Sequence, residues 1–454
     1  MNHIIGSTLL QEWLGQERGV RVPLKLLWGG IWIIIHFYAN NLWELLLSEL
    51  WRLLKIRFDE YQPERSRQAP VESMNIAAYR KFFPVTENLV YLNHAAVAPL
   101  STQVVEKVTS FLEEYREFGS LHYARWMEYM EEVRGMAASL ISAERGEIAF
   151  VKNTSSGLST VANGIAWERG DNIITADCEF PSNVYPWMNL APKGVELRLV
   201  KERGGRIQVG DIEKLIDDRT RLLSISWVEF VNGFRNDLKA LGDLCEARKI
   251  YFCVDGIQGL GALDMNVEEF KIDFLAADGH KWLLAPEGIG IFYVSRRVID
   301  ELHPSQVGWH SVTNPSNYLP YNFEFRDDAR RFEEGSPNMM GIYALGASLE
   351  TLLEIGTGRI EETILSLTGR IASGLMDMGH TILTPFGDDE RSGILLFTPA
   401  KGSVEGLYRH LSANRILCAI RPGGIRLSPH FYNNEEDVER LLKVVAEYRG
   451  KVAG

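Results

Sequence analysis

Two neighbouring stretches carry side chains suited to one kind of chemistry. In VDGIQGLG (residues 254–261) an aspartate closes a short apolar run, and in ADGHKWLLAPEGIGIFYV (residues 277–294) a lysine stands just beyond the next such run. A lysine amine can join an aldehyde as a Schiff base, and a carboxylate nearby can keep a pyridine nitrogen protonated so that the ring accepts electrons. Those are the requirements of pyridoxal 5'-phosphate (PLP), with Lys281 to carry the cofactor and Asp255 to face its nitrogen. Taken singly, Asp255 could cap a helix and Lys281 could be a solvated loop charge. Their occurrence at two successive strand ends in a Gly-rich setting favours the chemical role. Lysine suits it because its amine sheds a proton when desolvated near another cation, and a substrate amine can then displace it.

Such side chains need a scaffold that gathers strand ends. Apolar runs rich in β-branched residues recur at 148–151, 172–176, 196–200, 221–228, 251–255, 274–278 and 290–294, separated by helical patterns. That alternation predicts an α/β fold, a mostly parallel sheet with helices on both faces and ligands at the C-terminal ends of the strands. In the last hundred residues the rhythm changes: a helix over 342–355, strand candidates in SGILLFTP and GGIRLSP, and an amphipathic helix over 435–448 read as a smaller α+β domain. The expected division is an extension over 1–73, an arm over 74–98, a large domain over 99–340 and a small domain over 341–454.

Composition narrows the alternatives. A formal charge of −12 and the absence of any basic run argue against a nucleic-acid partner, whose phosphates require clustered cations. Cys178, Cys245, Cys253 and Cys418 form no C-x-x-C pair and lack zinc spacing, so no disulfide framework or metal is expected, and a reducing cytoplasm is the default location. No complete G-x-G-x-x-G, phosphate-binding P-loop or H-E-x-x-H is present. Residues 1–73 read differently: Leu26 to Trp43 is uncharged and Trp-rich, but His36, Asn40 and Asn41 interrupt it. Three readings stand: a translated upstream extension with the working chain starting at Met74, a membrane contact through residues 24–56, or a docking helix.

VDGIQGLG, GHKWLLAPEGIG and RFEEGSPN, together with the opening YLNHAAVAPLS, FVKNTSSGLS and the closing IRLSPHFYNNEEDVERLL, occur in an order that resembles the class V aminotransferase and cysteine desulfurase family of fold-type I PLP enzymes. The resemblance runs over nearly all of residues 88–448. It implies a seven-stranded, mostly parallel sheet in the large domain and a homodimer with shared active sites. It also implies roles: Lys281 holds the cofactor, Asp255 pairs with the pyridine nitrogen, Gln258 with the ring hydroxyl oxygen, and His280, Thr154 and Ser155 with the phosphate. Ser336 would reach the phosphate of the opposite subunit, Phe180 would stack on the ring, Arg426 would grip the substrate α-carboxylate, and Asn93 and His94 would border the substrate. Plainer roles exist for several: an N-cap turn at Thr154 and Ser155, a turn serine at Ser336, an exposed strand residue at Arg426.

The chain also departs from the desulfurase pattern. Phe180 stands where desulfurases have a stacking histidine, and Phe230 where they have an asparagine. A phenyl ring stacks but shuttles no protons. Arg421 is joined to Arg426 by Pro-Gly-Gly-Ile, with no room for a cysteine-bearing loop, and Cys418 falls in an expected strand, which counts against a persulfide held on this chain. The activity expected is therefore that of a PLP enzyme working on the α-amino group of a small amino acid, an aminotransferase or related lyase. Cysteine desulfurase or C–S lyase chemistry, or epimerisation, is the alternative, and a non-catalytic membrane-tethered scaffold is a minor one.

Overall fold

The computed structural model describes residues 76–449. The readings of residues 1–73, including membrane contact through residues 24–56, lie outside the described residues. Among the described residues no helix is long and apolar enough to cross a membrane.

Seven strands form the main sheet: β1 (Ile148–Val151), β2 (Asn172–Ala176), β3 (Glu196–Val200), β4 (Thr220–Ser226), β5 (Tyr251–Asp255), β6 (Phe274–Asp278) and β7 (Gly290–Val294). Their order across the sheet is β1-β7-β6-β5-β4-β2-β3. All adjacent pairs are parallel except those of β7, which runs antiparallel to both β1 and β6. The β4 ladder ends at Ser226, two residues short of the apolar run, because the chain then turns into the loop of Glu229 and Phe230.

Burial on both faces explains the uninterrupted apolar strands. Successive residues of β6 and β7 enter opposite layers: Phe274, Ala276, Phe292 and Val294 join one core, while Leu275, Ala277, Ile291 and Tyr293 join the other. Helix α3 (Thr154–Gly164) lies so close to β6 that a Cβ at Gly157 would stand 2.7 Å from the Ala276 Cβ, which restricts that position to glycine. Helices α1 (Thr102–Phe118), α2 (Tyr123–Leu140), α4 (Leu238–Arg248) and α5 (Met339–Ile355) also pack around the large domain.

The smaller C-terminal domain has an antiparallel sheet of β8 (Thr381–Ile382), β9 (Leu395–Thr398), β10 (Ala419–Arg421) and β11 (Gly424–Leu427), in the order β10-β11-β9-β8. Helices α6 (Thr357–Asp377), α7 (Val404–Ala413) and α8 (Glu435–Glu447) cover it around a separate apolar core. Strands β10 and β11 are joined by Pro422-Gly423 alone; Gly423 has φ +89°, as the third position of a type II turn requires. Near the start of the described chain, Val90–Tyr91 pairs in parallel with Ile416–Leu417, and Asn93 bridges to Ser428.

Candidate active site

The C-terminal ends of β5 and β6 meet beneath the N-terminus of α3, and the cavity there has a volume of about 440 Å³. Asp255 ends β5 and Lys281 follows β6 by three residues; both are buried and both line the cavity. The two loops behind them press together: a Cβ at Gly261, where φ is +96°, would stand 2.4 Å from the Trp282 carbonyl oxygen. Asn153 caps α3 by accepting from the Ser156 amide at 2.9 Å, and Thr154 Oγ1 accepts from the Asp278 amide at 3.0 Å. The helix terminus is thereby held against the end of β6, with its free amides facing an anion-binding position.

Electrostatics in the cavity follow from burial. Desolvation lowers the Lys281 amine to about 8, although Asp255 attracts its proton, and Arg426 and Arg421 lower it further. Burial raises the Asp255 carboxyl to about 6, so it is ionised at neutral pH. Only the unprotonated amine is a nucleophile. Capture of PLP by the apoprotein is therefore expected to accelerate about tenfold per pH unit up to about pH 8 and then level off, read from the visible absorbance of the joined cofactor. A rate that went on rising tenfold per unit from pH 8 to about pH 10 would contradict a depressed amine.

Several buried polar atoms in the cavity have no hydrogen-bond partner among the described residues. Arg426 is 1% exposed; its Nη1 donates to the Phe230 carbonyl at 2.5 Å, while Nε and Nη2 have none. His280 Nδ1 lies 3.0 Å from Asp278 Oδ1, but at an angle that forms no hydrogen bond, so both atoms are unpartnered. Unsatisfied buried donors are rare unless a ligand meets them. Gln258 accepts from Trp282 Nε1 at 3.0 Å and donates to the Ala95 carbonyl at 3.1 Å, which sets the orientation of its amide and leaves one N–H free. Phe180 flanks the amine, with Lys281 Nζ 5.6 Å from its ring centroid. Amine, carboxylate, ring face and anion-binding helix end are together the donor set that PLP calls for.

Of the residues expected at the site, Thr154, Ser155, Phe180, Asp255, Gln258, His280, Lys281 and Arg426 line this one cavity. Arg426 is not the exposed strand residue of the plainer reading; it is buried on β11. Asn93 and His94 do not line the cavity, whereas the next residues, Ala95 and Ala96, do. His94 is fully buried, with Nδ1 2.8 Å from the Ser428 carbonyl and Nε2 2.6 Å from the Tyr432 hydroxyl, so its ring supports the loop from below. Ser336 is exposed beside a second cavity of about 380 Å³, lined also by Lys152, Ser156 and Gly288.

Three features escaped sequence reasoning. Arg421 lines the cavity beside Arg426, a placement foreshadowed by two arginines flanking a hairpin turn. Ser182 also lines it, with its Oγ 2.8 Å from the Ser155 Oγ. Behind the ring pair Phe180 and Phe230, whose centroids are 5.2 Å apart and nearly perpendicular, each preceding residue is a buried glutamate. Glu179 accepts from the Ser226 amide and hydroxyl, and Glu229 from Asn236 and the Cys178 thiol. Burial raises both carboxyls, Glu229 to about 7. No sequence signal marks them.

Comparison with known proteins agrees with this fold. The family model described as Aminotransferase class-V matches residues 90–441. The chain is 29% identical over 394 residues to a probable cysteine desulfurase of Methanothermobacter thermautotrophicus, covering 82% of this chain and 97% of that one. It is 32% identical over 378 residues to a cysteine desulfurase of Yersinia pseudotuberculosis, covering 78% and 92%. The apo structure of a cysteine desulfurase from Thermococcus onnurineus superposes with a TM-score of 0.75 at 28% identity, covering 82% and 97%.

Proposed function

Because the chain belongs to the class-V aminotransferase family of PLP-dependent enzymes, we propose that it cleaves the C–S bond of cysteine or a cysteine derivative and releases the sulfur without first storing it on a thiol of its own. Kinship with proteins called cysteine desulfurases favours sulfur chemistry over transamination. The observation that carries the rest of the reading is the two-residue turn between β10 and β11, which leaves no span for a mobile cysteine. Cys418 is buried beside that hairpin, and burial pushes its thiol up to about 12; Cys178, Cys245 and Cys253 are raised by burial as well. A thiolate is the acceptor in persulfide chemistry, and none of these thiols ionises near neutral pH.

When bound, PLP supplies the electron sink for the pair left at the α-carbon. Thr154, Ser155 and the amides opening α3 would bind its phosphate with His280, and Ser336 would do so across a homodimer. Asp255 would hold the ring nitrogen protonated, Gln258 would donate to the ring hydroxyl oxygen, and Phe180 would cover the ring. Arg426 would orient the substrate through both oxygens of its α-carboxylate. Lys281, displaced by the substrate amine, would take the proton from Cα. Phe180 and Phe230 offer no second base or acid, a lack that suits sulfur as the leaving group, because a thiol with a pKa of about 8.5 departs as the anion without protonation.

The test is to supply purified holoenzyme with L-cysteine and L-cystine without a keto acid, and to measure sulfide, pyruvate, ammonia and alanine. Many turnovers giving pyruvate and ammonia in step with released sulfur are expected, at a rate that Cys418→Ser leaves within about twofold, the usual range for a buried residue that touches no reacting atom. Stoichiometric conversion of the cofactor to its amine form would establish transamination. Alanine as the product, lost in Cys418→Ser, would restore the desulfurase reading.

A further inference from the structure

Trp282 follows Lys281 directly in the chain, yet its indole is fully buried and does not line the cavity. Its Nε1–H donates instead to Gln258 Oε1 at 3.0 Å, and among the described residues it is the one donor that oxygen has. At the other end of the amide, Gln258 Nε2 donates to the Ala95 carbonyl at 3.1 Å. An indole nitrogen only donates and a carbonyl only accepts, so an amide turned end for end would set donor against donor and acceptor against acceptor. One orientation survives, and it leaves the second Nε2–H for the cavity that Gln258 lines.

The small domain holds both halves of this clamp. The segment after β11 supplies His430, whose Nδ1 accepts from the Phe431 amide at 2.8 Å, so that Nε2 carries the proton donated to the Trp282 carbonyl at 3.0 Å. Burial brings the His430 ring down to about 4, which keeps it in that neutral form near neutral pH. Two residues earlier, Ser428 Oγ accepts from the Ala95 amide at 3.0 Å. The benzo edge of the indole lies on the backbone just before β9, where a Cβ at Gly393 would stand 2.3 Å from it. Trp282 is thus held at its carbonyl, its ring edge and its N–H, and a support fixed in this way can aim a group that meets a ligand.

We infer that Trp282 is a positioning residue for the cofactor: through Gln258 it keeps an N–H donor on the ring hydroxyl oxygen of PLP. The inference rests on the reading that Gln258 meets that oxygen, and it deepens that reading by naming what aims the amide. An amide free to turn would also present its own oxygen, which repels another.

Trp282→Phe removes the N–H and leaves an aromatic ring. Measured by equilibrium dialysis, PLP is expected to bind that variant about fivefold more weakly, the usual worth of one neutral hydrogen bond, and Gln258→Leu should lose about as much. In the double variant, Trp282→Phe should add less than about twofold, because the two residues act through one contact. The visible absorption of the bound cofactor gives a second readout. A donor on the ring oxygen stabilises its negative charge, so losing it should raise the pH midpoint of that band in both single variants, and no further in the double. An equal loss from Trp282→Phe with and without the Gln258 side chain overturns the inference, since the indole would then serve packing alone. Where Trp282→Phe does not fold, Gln258→Glu is the test. A carboxyl that accepts from Trp282 and faces the Ala95 carbonyl has no donor left for the cofactor, and should lose at least as much as Gln258→Leu. Wild-type affinity in Gln258→Glu would show that the orientation is not fixed, and overturns the inference too. If Gln258→Leu alters neither affinity nor band, the underlying reading of Gln258 fails, and the inference with it.

Discussion

Lys281→Ala is expected to abolish attachment of PLP and to reduce turnover of any amino acid by at least about 10²–10⁴-fold, the usual worth of a positioned proton-transfer group. The stability of the apoprotein should move the other way. In the folded chain the amine titrates near 8 instead of its ordinary 10.5, so the unfolded state holds more protons between those values and the wild-type apoprotein gains stability as pH rises through that window. Below pH 8 the penalty is complete, about 3 kcal/mol with the attraction to Asp255 already included. Urea melts from pH 7 to 10 should therefore show a rising wild-type curve and a flatter variant curve, with the variant no less stable at pH 7. A variant that melts far below the wild type at pH 7 would mean that the amine is structural, and lost activity would then say nothing of chemistry.

Arg426→Met is expected to lower kcat/KM for amino acids by about 10²-fold or more, because two charge-assisted hydrogen bonds to the α-carboxylate vanish together. The same change should leave the apoprotein as stable or more so. Arg426 is buried with two donors unmet, and burial together with Arg421 brings its guanidinium down to about 9, the signature of a cation held at a cost until a ligand arrives. Arg426→Lys keeps the charge but not the fork, and should recover only part of the loss. The two readouts are to be compared on one preparation: steady-state kinetics and a thermal melt. If Arg426→Met lost several kcal/mol of stability with little effect on kinetics, the guanidinium would be a structural tie to the Phe230 carbonyl, and the substrate carboxylate would bind elsewhere.

The opposed signs of these effects have one physical source. Groups arranged to meet a ligand are left unsatisfied without it, and the surrounding core must hold them in place. Here that core is the doubly covered sheet, where β6 is buried along its whole length and β5 at every residue after Tyr251.

Much of this was legible from residue order. Strands buried on both faces leave unbroken apolar runs, so six of the seven strands in the main sheet have the bounds their runs predict, and β4 departs from its run by one residue at the start and two at the end. Asp255 was legible for the same reason, since a polar residue that ends an apolar strand stands at the sheet's edge, and Lys281 was legible from its place three residues beyond the next strand. The antiparallel setting of β7 was not, because strand direction is decided by the connection and by which neighbours remain to be paired, and neither leaves a mark in a five-residue apolar run.

The amino-acid sequence by itself determined the fold class and the cofactor, and singled out Asp255 and Lys281 as candidates to hold it, because these depend on local pattern and on residue types at or just beyond strand ends. Only the tertiary structure decided that Arg421 shares the cavity with Arg426, that Phe180 and Phe230 close one wall over two buried glutamates, and that His94 turns away beneath its loop. Those outcomes depend on register across a hairpin and on packing between residues hundreds of positions apart, and such contacts are set by the geometry of the assembled core.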